Sequence, residues 1–190
     1  MKPRLTSEPS CSVSMARSLD KDRSNIEQFI AQNFYQSYQA QVDHFADLLI
    51  GCKSDEDHNW MAAFGMSKLT NKKAYLEQYL DQPIEHYISA LTGKKVERSE
   101  VFELGNLAAD YPGATRRLIK KMTSVIYNQG GRWVVFTVNK LVLNAFHKSN
   151  LNPQVISKAD PHRLPNHGTN WGHYSETRPQ VMFIEVPSSI

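Results

Sequence analysis

The stretch from Val101 to Val138 constrains the fold more than any other part of the chain. Val101 to Ala108 is an apolar run of strand length. Gly113 then opens a helical pattern over about Ala114 to Tyr127, which Gly130-Gly131 ends. Arg132 to Val138 follows as a buried strand, carried by Trp133-Val-Val-Phe-Thr-Val138. A strand, a helix and a strand in immediate succession place the chain in the α/β class and speak against a repeat protein.

The flanking segments fit that class. Ile26, Phe29, Ile30, Phe34 and Tyr38 recur at three- and four-residue spacing, which predicts a helix over Arg23 to Ala40 with Ser24 as its N-cap. Two strands are expected at His44 to Cys52 and Trp60 to Lys68, joined by the polar loop Lys53 to Asn59. Tyr75 to Thr92 returns to helical spacing, with Pro83 at a helix start and Gly93 at a stop. Leu141 to Ser149 reads as a short helix ended by a left-handed Asn150. Val155 to Ser157 and Val181 to Val186 are two last strands around a loop rich in Pro, His and Asn. Residues 1 to about 20, rich in Ser, Pro and charge, read as a disordered or loosely packed tail ahead of one domain over 21–190.

Composition enters where it narrows the function. At 190 residues one domain buries roughly 70% of its unfolded surface and needs no disulfide or metal staple. The net charge of +3, from 22 basic and 19 acidic side chains, is too small to argue for a nucleic-acid partner. Cys11 and Cys52 form no metal-type spacing, so disulfide-dependent folding is not expected. No apolar run reaches the roughly 18 residues of a membrane span. Lys2 and Arg4 have no apolar segment behind them, so no secretory signal is read and cytoplasmic residence is the expectation.

A set of short motifs runs in order along nearly the whole chain after the tail, from about Arg23 to Val186. They begin with Leu76-Glu-Gln-Tyr-Leu-Asp81, Val101-Phe-Glu-Leu-Gly-Asn-Leu-Ala108, Pro112-Gly-Ala114 and Arg117-Leu118. Trp133-Val-Val-Phe-Thr137, Ala145-Phe146, Ala159-Asp-Pro161, Trp171-Gly-x-Tyr174 and Pro179-Gln-Val181 complete the set. With them the chain resembles the bacterial thermostable hemolysin family, named for lysis of red cells rather than for a known reaction. The resemblance implies a GNAT-like mixed central sheet of about six to seven strands flanked by helices, similar also to acyl-homoserine-lactone synthases.

In such folds an acyl thioester enters a gap between two splayed strands. Its phosphates rest at the N-terminus of the following helix, where free N–H groups favour anions. Carried onto this chain, the donor site would comprise Leu104, Gly105 and Leu107, then Gly113, Ala114, Arg116 and Arg117. The donor would be acyl-coenzyme A or acyl carrier protein, and the basic run Arg116, Arg117, Lys120 and Lys121 would suit an acidic carrier protein. Its plainer reading is a solvated helix face. Asp110 stands where that phosphate loop has a basic or amide residue. Phe146, without a hydroxyl, stands where a thiolate-protonating Tyr is common, and the adjacent His147 points about 100° away.

Glu103 and Asn106 are the catalytic candidates. A mid-strand Glu103 could act as general base or ammonium anchor, its pKa raised by burial, or could simply pair with an Arg. Asn106 could hold a carbonyl or satisfy the backbone of a bulge, for which Gly105 is suited. Glu77 and Tyr79 are read as lining the acceptor cleft or, equally, as a solvated face and a core residue. Trp171 and Tyr174 could cover an acyl pocket, although aromatic packing is the commoner role. His147, His162, His167 and His173 match no ligand spacing, so no metal is assigned.

Three functions therefore compete. The first is an acyltransferase-like enzyme moving an acyl group to an amine or similar small acceptor. The second is a membrane-active cytolysin, for which the helix carrying Ile26 to Tyr38 offers membrane-surface contact. The third is a non-catalytic module on the same fold.

Overall fold

The computed structural model describes residues 10–110 and 112–188. Residues 1–9 of the expected tail, Tyr111 in the turn after Asp110, and residues 189–190 lie outside the described residues.

Seven strands form one sheet: β1 (Cys11–Ala16), β2 (Leu48–Ser54), β3 (Trp60–Lys68), β4 (Val101–Ala109), β5 (Trp133–Val138), β6 (Gln154–Lys158) and β7 (Gln180–Glu185). Their spatial order is β1-β2-β3-β4-β5-β7-β6. Every neighbouring pair is antiparallel except β4 and β5, the parallel pair created by the strand–helix–strand unit. The helices are α1 (Arg23–Tyr38), α2 (Ile84–Thr92), α3 (Pro112–Asn128) and α4 (Lys140–His147).

Alternation along the strands sends side chains to two faces, and each face finds its own cover. Ile50, Phe64, Phe102, Val134 and Phe136 pack with Leu118, Met122 and Ile126 of α3 and Phe146 of α4. On the opposite face, Leu49, Ala63 and Ala108 meet Ile26, Ile30 and Phe34 of α1. Val101, Trp133 and Val135 meet Leu76, Ile84 and Ile88 on that face. Among the described residues, no helix is long and apolar enough to cross a membrane.

Five expectations need correction. The expected tail contributes edge strand β1, paired with β2 from Cys11↔Ser54 to Ala16↔Leu49. Its alternation is hidden because Val13 and Met15 stay exposed and serines fill the positions between. Cys11 and Cys52 form a disulfide between these neighbouring strands, with their Cα atoms 6.0 Å apart. The strand expected from His44 starts only at Leu48, because 44–47 is a loop whose Ala46 carbonyl accepts a 2.8 Å bond from Arg23 Nη2. Helix α1 is preceded by Asp22 at its N-cap, not Ser24.

The segment Tyr75 to Thr92 is also divided. A 3₁₀ turn over Tyr75–Tyr79 ends at an extended Leu80, and α2 begins after Pro83. Proline cannot donate the amide that a continuous helix would need, and it drives the residue before it out of the helical region. Gly93 (φ 70°) and Asn150 (φ 58°) adopt the left-handed conformations expected of them.

Candidate functional site

The site begins with a backbone irregularity. Parallel pairing of β4 and β5 ends at Leu104↔Phe136, although β4 runs on to Ala109 and β5 to Val138. Against β3 the register passes from Gly65↔Gly105 to Ala63↔Ala108, so Asn106 and Leu107 together face Phe64. This is a bulge, and Asn106 sits in it at φ 55°. Its side chain holds the neighbouring loop: Nδ2 donates to the His44 carbonyl at 2.9 Å and Oδ1 accepts from the Ala46 amide at 3.1 Å. Gly65 opposite is required by close approach, since a Cβ there would lie 2.6 Å from Ala46 Cβ and 2.8 Å from Asn106 Oδ1. Asn106 is therefore engaged in the scaffold, and its side-chain amide positions the loop.

Splaying the strands opens a cavity lined from both faces of the sheet. On the α3–α4 side its wall is apolar, with Leu104, Ile119, Met122, Phe136, Val142 and Phe146. Phe136 and Phe146 stack 4.5 Å apart and 11° from parallel. Phe146 thus serves as cavity wall, while His147 is exposed. On the other side the wall is aromatic and polar, with Tyr38, Tyr75, Tyr79, Glu103, Trp171 and Tyr174.

Glu103 belongs to this polar half. Its carboxylate accepts the backbone N–H groups of Leu76 and Tyr75, both at 2.8 Å. Those amides are free because they open the 3₁₀ turn and have no partner within it. Burial pushes the Glu103 carboxyl up to about 7; the two amide bonds, which favour the charged form, only partly oppose this. A carboxyl at that value is half ionised near neutrality, the condition under which it can exchange protons with a substrate.

Glu77 holds the turn from behind. It is buried, accepts from the Ala74 and Ile84 amides at 2.8 Å each, and meets both terminal nitrogens of Arg98 at 2.8 Å. Burial raises its pKa, but Arg98 and the amides outweigh that and hold it below the ordinary value. Arg98 also reaches Glu85 at 2.6 Å. Glu77 is thus neither a solvated helix face nor part of the cavity wall; it is the buried anchor that fixes the 3₁₀ turn.

The aromatic residues reach the cavity through a close contact of the loop after β6. Gly172 (φ 52°) lies so near α1 that a Cβ would fall 2.1 Å from the Tyr38 carbonyl. That approach seats Trp171 and Tyr174 against Phe34, with ring centroids 6.0 and 6.2 Å away. Trp171 Nε1 donates to the Tyr75 hydroxyl at 3.1 Å, and Tyr174 donates to the Thr137 carbonyl at 3.4 Å. Tyr79 is buried and lines the cavity. Burial pushes the Tyr79 and Tyr174 phenols up, so both remain neutral donors.

Of the residues singled out from sequence, the cavity brings together Glu103, Leu104, Gly105, Asn106, Leu107, Tyr79, Trp171 and Tyr174. Gly113, Ala114, Arg116 and Arg117 lie on the first turns of α3, outside the cavity wall. Arg117 there donates to Cys11 Sγ at 3.3 Å. Asp110 accepts a bond from Asn33 at 3.4 Å, and burial raises its pKa. Among the described residues no group of three His, Cys, Asp or Glu side chains converges as a metal site would require.

Sequence reasoning missed Tyr38, His44, Tyr75 and Asn139. Asn139 Oδ1 caps α4 through the amides of Leu141 and Val142, and its Nδ2 donates to the Tyr38 hydroxyl at 3.0 Å. An Asn before a short apolar helix is an N-cap signal that could have found it. His44 and Tyr75 stack 5.0 Å apart, a contact between segments distant in sequence and without a local signal.

Solved structures share this architecture. The acyl-homoserine-lactone synthase LasI is 10% identical, with 95% of this chain and 92% of that one covered at a TM-score of 0.61. FeeM, an N-acyl amino acid synthase from uncultured soil microbes, is 13% identical over 94% of this chain and 93% of its own, also at 0.61. BjaI, a CoA-dependent acyl-homoserine lactone synthase solved with SAM and isopentyl-CoA, is 12% identical over 94% and 85%, at 0.59. At such identities the likeness establishes the fold, and it matches the mixed seven-stranded sheet described above. No curated protein matches the sequence. Residues 16–190 match the family described as thermostable hemolysin, and the chain belongs to that family.

Proposed function

We propose that the protein is an acyltransferase that moves an acyl group from a coenzyme A or carrier-protein thioester to an amine. The observation that carries this reading is the cavity lined from both faces of the sheet, apolar on one side and bearing Glu103 and the tyrosines on the other. The acyl chain would occupy the half walled by Ile119, Met122, Phe136 and Phe146, and the thioester carbonyl would lie in the gap beyond Leu104↔Phe136. There the facing edges of β4 and β5 no longer pair with each other, so their backbone groups can meet the carbonyl.

The amine would approach from the Glu103 side. It loses a proton to the carboxylate, its nitrogen forms a C–N bond to the carbonyl carbon, and the C–S bond breaks. The sulfur leaves as thiolate and is protonated, giving an amide and a free thiol. The same fold in LasI, FeeM and BjaI supports the reading.

The test is thiol release from acyl-coenzyme A and acyl-carrier-protein donors of increasing chain length, with wild type beside Glu103→Gln. Amine-dependent release is expected in wild type, with kcat/KM about 10²–10⁴-fold lower in the variant. Silence across the donor and acceptor panel refutes the transferase. Dye release from liposomes by the same pure protein would then favour a cytolysin.

A further inference from the structure

Resting on the transferase reading, we infer that the acceptor is an amine that carries no carboxylate: an amino alcohol, an amino amide or a plain monoamine rather than an amino acid. The inference comes from the charges around the acceptor half of the cavity. Glu103 is the only carboxylate in the lining of the described residues, and no Lys or Arg accompanies it. Two cations near the wall are already matched. Lys72, whose field reaches Glu103, is paired with Asp47, and Arg98 is held between Glu77 and Glu85. Asp43 adds a further negative field at Tyr75, and its bond is to the neutral amide of Asn170.

Besides Glu103, and the exposed imidazole of His44 stacked on Tyr75 at the rim, the wall offers phenols, an indole and amides. Tyr38 accepts from Asn139 and Tyr75 accepts from Trp171, so each keeps its phenolic proton to donate, and Tyr79 keeps its own. The ring faces of Tyr38, Tyr75, Trp171 and Tyr174 suit an ammonium group. A cationic nitrogen with hydroxyl or carbonyl oxygens further along therefore finds partners for each part. A carboxylate would enter a site that already holds one, with no Lys or Arg in the lining to offset its lost hydration.

The experiment uses three acceptors that share one side chain: phenylalanine, phenylalaninamide and phenethylamine. Each is offered to the wild-type protein with medium-chain acyl-coenzyme A and the matching acyl carrier protein, and amide product is read by mass spectrometry. Each acylation forms one C–N bond, breaks one C–S bond and releases one thiol. The amide and the plain amine should be acylated with kcat/KM at least about tenfold above phenylalanine. Phenylalanine used as well as its amide, or better, overturns the inference and leaves the transferase standing.

If no acceptor is acylated, the transferase reading fails, and binding decides the inference separately. Fluorescence quenching that disappears in Trp171→Phe should then be seen with phenylalaninamide and not with phenylalanine. Equal quenching, or none with either, overturns it.

Discussion

Ionising Glu103 should weaken the fold, and the size of the effect follows from its surroundings. Burial raises the carboxyl to about 7 in the folded chain, from the 4.5 of a solvated glutamate. The folded state therefore binds more protons than the unfolded state between those values. Stability is full below about 4.5 and is lost as pH rises through about 7. Holding the group at about 7 corresponds to about 3 kcal/mol, most of which falls between pH 5 and pH 8. Urea unfolding of wild type and Glu103→Gln at half-unit steps across that range isolates the effect, because all other titrations cancel in the difference.

The glutamine has its own cost. Its Nε2 would face one of the two amides that the carboxylate accepts at 2.8 Å. That mismatch costs about 1–3 kcal/mol and does not change with pH. The expected signature is thus an offset at pH 5 that shrinks or reverses by pH 8. The same group should set an ascending limb near pH 7 in the kcat/KM profile of the wild type. A stability difference between the two proteins that stays flat from pH 5 to pH 8 would refute the argument. It would mean that the two amide bonds balance burial and that Glu103 is an ordinary ionised anchor.

Arg98→Met should cost about 3–5 kcal/mol in urea unfolding at pH 7.5, because it leaves the buried Glu77 carboxylate without its paired cation. A loss under about 1 kcal/mol would show that Arg98 contributes little to the turn. Asn106→Ala removes both tethers to the 44–46 loop and places alanine at φ 55°, for an expected loss of about 2–4 kcal/mol in thermal unfolding. Asn106→Gly should recover the conformational part, about 1–2 kcal/mol, without restoring the loop.

Much of the framework is readable from local pattern. Trp60–Lys68 is the strand expected, and the β4–α3–β5 unit lies where the runs from Val101 to Val138 place it. These segments are covered on one or both faces, so their apolar spacing records their packing. β1 escaped notice because it is a half-exposed edge strand of mixed Ser and apolar residues. Its disulfide escaped because spacing along the chain says nothing of strand register.

The site divides in the same way. Glu103 was legible as a charge in an apolar strand, whereas the role of Glu77 depends on Arg98, which only the fold brings beside it. Asn106 carried both of its readings in the sequence, and the contacts favour the scaffold. Trp171 and Tyr174 were legible as aromatics, but their approach to α1 depends on Gly172 and on a contact more than a hundred residues away along the chain. Arg116 and Arg117, assigned to the donor site by resemblance, lie on the first turns of α3, outside the cavity wall.

The position of β7 has a consequence for the order of assembly. It follows every other strand in the chain, yet in space it is an internal strand between β5 and β6. While residues 180–185 are still being synthesised, β5 has an open edge and β6 has no partner, because its ladder is with β7 alone. The segment carrying Trp171 and Tyr174 immediately precedes β7, so closing the sheet and seating the aromatic wall belong to one late event. A nascent chain lacking these residues would hold Glu103 on β4 without the wall that Trp171 and Tyr174 complete, so under the proposed function the site would be assembled only when folding is complete.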